Sequence, residues 1–81
     1  MAVLATAFPD SSAIDRATYD DDSGTLQLWY AGGDRYLYFD VPPEFYQALK
    51  RADSAGEFVN HWIKPNFRYE HERRKRRFRP D

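Results

Sequence analysis

The stretch TLQLWYAGGDRYLYF, Thr25 to Phe39, decides how this chain folds. Its first six residues alternate, with Leu26, Leu28 and Tyr30 on one side of an extended strand and Gln27 and Trp29 on the other. Ala31-Gly32-Gly33-Asp34 breaks the pattern with residues that accept tight-turn geometry, and Arg35 to Phe39 alternates again. Two alternating runs around a Gly-Gly turn predict a β-hairpin. Loop length then sets which side the tyrosines take, because a one-residue slip moves every side chain to the other face. A two-residue loop, Gly32-Gly33, sets Tyr36 opposite Trp29 and Tyr38 opposite Gln27. Trp29, Tyr36 and Tyr38 then make an outward aromatic surface of the kind on which unpaired bases stack. A loop one residue longer sets Tyr36 against Tyr30 and Tyr38 against Leu28, and both rings join the core. The alternation fits both.

Upstream, AIDRATY (Ala13–Tyr19) carries a first strand signal, and DDDSG (Asp20–Gly24) is a turn by composition. Downstream the period changes. Pro42 and Pro43 suit a helix entrance, where a missing N–H is harmless, and Phe45, Ala48, Leu49 and Ala52 share one helical face. Ser54 with Glu57 three residues on forms a capping box. From the helix it opens, Phe58, Val59, Trp62 and Ile63 are expected to project, until Pro65 stops the run. The expectation is an α+β domain: a three-stranded antiparallel meander with two short helices packed on one face, followed by a basic C-terminal tail. Residues 1–11 read as a loose lead-in, 12–69 as the domain and 70–81 as a basic arm.

Eighty-one residues support one small core, which leaves little margin of stability. No cysteine is present to add disulfides, which fits a reducing, cytoplasmic setting and excludes thiolate metal sites and cysteine nucleophiles. Six Tyr, six Phe and two Trp are the expected compensation. MAVLATAF is too short for a signal sequence or a membrane span, so no membrane association is expected. The net charge of -1 hides a division. Residues 1–63 hold four bases against ten acids, a net of -6, and residues 64–81 hold eight bases against three acids, a net of +5. A basic end of this kind either meets a polyanion or folds onto its own acidic body.

The segments SSAIDRATYD, TLQLWY, GGDRYLYFDVP and ADSAGEFVNHWI resemble the KTSC domain in order and spacing. That module takes its name from the C-terminus of some lysyl-tRNA synthetases and also occurs as free-standing small bacterial proteins. The likeness covers about residues 12 to 69, with the Tyr36-x-Tyr38 pair as the family's central mark. It implies that Tyr36 and Tyr38 point inward beside Leu26, Leu28 and Tyr30. It also implies polar residues at the outward positions, where this chain has Trp29 and Leu37. Two large apolar side chains there read either as an interaction patch for a protein partner or as scattered surface hydrophobes.

The basic end RRKRRFR holds Arg73, Arg74, Lys75, Arg76, Arg77 and Arg79 around Phe78. Arginine suits bidentate phosphate contacts and stacking, and Phe78 among cations suits an unpaired base. Phe67, Arg68 and Tyr69 extend the strip, and Arg16 and Arg35 add contacts from the sheet. The competing reading is a solubilising tail. Resemblance to a module carried by a tRNA-charging enzyme implies RNA, tRNA included, as the partner. Chemistry is poorly provisioned: His61 and His71 have no fixed-spacing partners, and no Ser/His/Asp set is present. DDDSG lacks the alternating ligands and distal Glu of a calcium loop, and Gly32-Gly33 joins strands rather than opening a helix. The reading is a non-catalytic RNA- or nucleic-acid-binding module with no metal or cofactor, the alternative being a protein-interaction module using Trp29 and Leu37.

Overall fold

A computed structural model describes residues 3–72. It is an α+β domain built on one antiparallel sheet in the order β1 (Val3–Ala7), β2 (Ile14–Asp20), β3 (Thr25–Tyr30), β4 (Arg35–Tyr38) and β5 (Tyr69–Glu72). Helix α1 (Pro43–Arg51) and the short α2 (Ala55–Phe58), which continues as a π-helical turn over Val59–Ile63, supply the second layer. The expected meander is therefore β2–β4, and the sheet gains a strand at each edge.

The β3–β4 loop is three residues long. Gly33 donates to the Tyr30 carbonyl at 2.9 Å and Tyr30 donates to the Asp34 carbonyl at 2.8 Å, closing the hairpin around Ala31–Gly33. Gly33 takes φ 102°, the left-handed position that such a loop reserves for glycine. Tyr36 consequently pairs with Leu28, Tyr38 with Leu26, Leu37 with Gln27 and Arg35 with Trp29. These partners are two residues removed from the Tyr36–Tyr30 and Tyr38–Leu28 pairs expected for the longer loop. A shift of two preserves the faces, so the tyrosines lie on the core side. Tyr38 is fully buried and Tyr36 half-buried.

The core combines Ile14, Ala17 and Tyr19 of β2, Leu26 and Leu28 of β3 and Tyr38 of β4 with Val41, Tyr46, Leu49, Ala55, Val59 and Ile63. Helix α1 presents Tyr46 and Leu49 as its buried residues, with Phe45 only partly covered. Tyr46 stacks on Tyr19 at 5.2 Å, and its hydroxyl bonds Thr6 Oγ1 at 2.6 Å. That bond ties the helix to β1, which pairs along its whole length with β2, so Val3–Ala7 is a strand rather than the expected loose lead-in. The Tyr19 hydroxyl donates to the Val41 carbonyl at 2.5 Å. Asp40, at φ 59°, reverses the chain between β4 and α1.

Ser54 Oγ accepts the Glu57 N–H at 3.3 Å, as the capping pattern anticipated. Of the four residues expected to project from this helix, Trp62 faces solvent. The chain widens there to a five-residue bond, Lys64 N–H to Val59 carbonyl at 2.8 Å, and Val59 and Ile63 remain buried while Trp62 is 56% exposed.

β5 replaces part of the expected arm. Tyr69 lies 5.6 Å from Tyr36 and 5.5 Å from Tyr38, and His71 stacks on Tyr36 at 4.3 Å. Arg35 pairs with Glu72, and His71 Nε2 lies 3.5 Å from Asp34 Oδ2. These contacts fix an edge strand whose four residues are all exposed, too polar to show by pattern.

Candidate nucleic-acid interface

One face of the sheet carries the helices; the other carries the side chains that alternate away from them. A β-bulge in β2 shapes this open face. The pairing shifts between Ile14 and Arg16, so Ile14 and Ala17 both point inward and Arg16 is turned outward beside Trp29. Reading across the strands, Ala7, Arg16, Trp29, Arg35 and Glu72 form one row. The next row is Ala5, Thr18, Gln27, Leu37 and Glu70. One step further, Phe39 donates its N–H to the Arg68 carbonyl at 3.0 Å, so the β4–β5 alignment continues past the last ladder residue.

Trp29 is the centre of the first row. The Arg16 guanidinium lies 4.3 Å from its ring centroid and that of Arg35 lies 5.6 Å away. Arg35 also donates through Nε to Glu72 Oε1 at 3.0 Å and through a terminal nitrogen to Gln27 Oε1 at 3.4 Å. A second aromatic–arginine pair stands at the other end, where the Arg68 guanidinium lies 5.2 Å from the Phe39 ring. Leu37 lies between them, two residues from Arg35 and two from Phe39. The face thus carries a diagonal of Trp29, Leu37 and Phe39, flanked by Arg16, Arg35 and Arg68.

Trp29 and Leu37 are diagonal neighbours, as expected, yet both are half-buried, and Trp29 is covered by two guanidinium groups rather than left bare. The strip Phe67-Arg68-Tyr69 is divided by strand alternation. Arg68 goes to the open face. Phe67 packs edge-on against Phe45 at 5.0 Å and Tyr69 joins the tyrosines of the helix side, so neither ring shares a face with Trp29. Arg16 and Arg35 both lie on the open face of the sheet. Arg73, Arg74, Lys75, Arg76, Arg77, Phe78 and Arg79 lie outside the described residues. The sequence reading missed Phe39 as an outward aromatic, although its spacing from Leu37 carries that signal.

On the helix side, Tyr38 Oη is buried and makes no hydrogen bond of ordinary geometry among the described residues, although the Tyr30 phenol lies near enough to interact weakly with it. Burial, followed by the phenols of Tyr30, Tyr36 and Tyr69, holds its pKa far above the usual tyrosine value. Burial likewise raises Tyr19, reinforced by Asp21, Glu44 and Asp20, and raises Tyr30, reinforced by Tyr36. Among the described residues no three His, Asp or Glu side chains gather closely enough to hold a metal ion. No helix among them is long and apolar enough to cross a membrane.

A two-layer α+β domain with helices on one side and an aromatic–arginine face on the other defines the class. The chain belongs to the KTSC domain family, whose sequence profile matches residues 10–67. A protein of Tsukamurella paurometabola is 49% identical over 59 residues, covering 73% of this chain and 88% of that protein. A lysine–tRNA ligase of Nostoc punctiforme is 36% identical over 62 residues, which is 76% of this chain but 11% of the ligase. A crystal structure of a KTSC domain protein from Yersinia pestis superimposes with a TM-score of 0.75 at 30% identity, covering 85% of this chain and 96% of that one.

Proposed function

We propose that this chain is a non-catalytic nucleic-acid-binding module, with RNA as its partner, acting through the open sheet face and the basic run Arg73–Arg79. The observation that carries the reading is the row Arg16–Trp29–Arg35–Glu72: three strands gather two guanidinium groups around an indole, and the row ends one residue before the run begins. Aromatic and guanidinium planes are surfaces on which unpaired bases stack, and arginine forks suit phosphate oxygens. The described face alone has no excess charge, since Arg16, Arg35 and Arg68 are matched by Asp20, Glu70 and Glu72. The run supplies the surplus. Similarity to a segment of lysine–tRNA ligases supports RNA as the polyanion, and the absence of cysteine supports a cytoplasmic setting. Docking of a protein on Trp29 and Leu37 is less well supported, because the guanidinium cover leaves little bare apolar surface there.

The test is fluorescence anisotropy of labelled single-stranded RNA at stepped salt concentrations. The full chain is compared with a variant in which the six cations of the run are glutamine. If all six meet phosphates, log K against log salt falls with a slope of about -4. The variant should lose most of both slope and affinity. Absence of binding by the full chain at low salt refutes the reading.

A further inference from the structure

Resting on the nucleic-acid reading, we infer that the open face takes a single strand with its bases splayed apart, one at the Trp29–Arg16 pair and another at the Phe39–Arg68 pair. The spacing of the two stations carries the argument. Phe39 lies four residues along the chain from Arg35, which is the cross-strand partner of Trp29. At about 3.4 Å per residue and about 4.8 Å between strands, the two aromatic positions are about 14 Å apart. Successive bases in a duplex are held about 3.4 Å apart with their faces already occupied by neighbours. A duplex therefore offers this face phosphates but no free base planes at that separation, whereas an unpaired strand can extend its bases to meet both.

The chemistry at each station is the same. A ring sits under a guanidinium, Arg16 at 4.3 Å from Trp29 and Arg68 at 5.2 Å from Phe39, so a base stacks on the ring or on the outer plane of the arginine. Leu37 between them offers aliphatic surface to the intervening sugar or base. Stacking of this kind tolerates any base, so the face selects for strandedness before sequence. Asp20, Glu70 and Glu72 lie on the same face and discourage a continuous run of phosphates across it. That again favours bases, rather than phosphates, toward the sheet.

The experiment uses the full chain carrying Trp62→Phe, which leaves Trp29 as the only tryptophan; Trp62 is exposed, so the change is mild. Indole fluorescence is followed during titration with oligouridine, oligothymidine and an RNA hairpin duplex, with anisotropy of the labelled nucleic acid recorded in parallel. Single strands of either kind should quench Trp29 and the duplex should not. In the same background Phe39→Leu should weaken single-strand binding about five-fold or more, and Arg68→Gln provides a second variant should the first disturb the fold. Binding without quenching, or equal quenching by the duplex, overturns the splayed-strand inference and leaves the nucleic-acid reading standing. Absence of binding by every ligand overturns both.

Discussion

Replacing Tyr38 with phenylalanine should make the domain more stable. Tyr38 is fully buried, and its hydroxyl makes no hydrogen bond of ordinary geometry among the described residues, the Tyr30 phenol being close enough only for a weak interaction. An unpartnered buried polar group costs about 1–3 kcal/mol, and removing it spares that cost while keeping the ring. The aromatic contacts with Tyr36 at 6.2 Å and Tyr69 at 5.5 Å do not depend on the oxygen. The expected gain is about 1 kcal/mol, or about 4–8 °C in Tm for a domain of this size. Tyr19→Phe is the internal control. It breaks the bond to the Val41 carbonyl at 2.5 Å and should cost about 1 kcal/mol. Urea unfolding at neutral pH, followed by circular dichroism, gives both values. If Tyr38→Phe destabilises as much as Tyr19→Phe, the hydroxyl has a partner and the reasoning fails.

The other predictions concern pH, capping and the ion pair beside Trp29. Tyr38, Tyr19 and Tyr30 all have raised pKa values in the folded state, so they stay neutral where the unfolded chain ionises near pH 10. Their contribution is intact below that value and is lost as pH rises above it, so denaturant midpoints should fall on the alkaline side, less steeply in Tyr38→Phe. Ser54→Ala removes the acceptor for the Glu57 N–H and should cost about 1 kcal/mol in the same unfolding assay. Glu72→Gln frees the Arg35 guanidinium from its carboxylate, so single-stranded RNA should bind more tightly by anisotropy. Unchanged affinity would mean that Arg35 does not touch the ligand.

Much of the central sheet and both helix starts were legible because each rests on a local rule: alternation in Thr25–Tyr30, proline at the start of α1, serine before α2. The edges were not. VLATA has no polar–apolar alternation to mark it, and what makes it a strand is its ladder along β2, with the distant Thr6–Tyr46 bond as an added tie. YEHE looks like the start of a charged tail, and its place on the sheet depends on rings from β4 that sequence spacing alone cannot bring alongside it. Alternation alone left the face of the tyrosines open, since a one-residue change in the loop reverses it. The resemblance to the KTSC domain implied the inward side, and the observed pairing keeps that side although its partners differ by two residues. The same logic explains the site. Arg16 reaches Trp29 because a bulge re-aims it, and Phe39 pairs with Arg68 only because β5 returns beside β4. A cut after Tyr69, natural from the sequence, would remove most of β5; separating the basic run from the fold requires a cut after Glu72.

Amide shift mapping of the full chain during titration with single-stranded RNA tests the central claim most directly. The account expects the largest changes at Arg16, Gln27, Trp29, Arg35, Leu37 and Phe39, with the helix-side residues Tyr46, Val59 and Ile63 little moved. Changes centred on α1 and α2, with the open face silent, would contradict it.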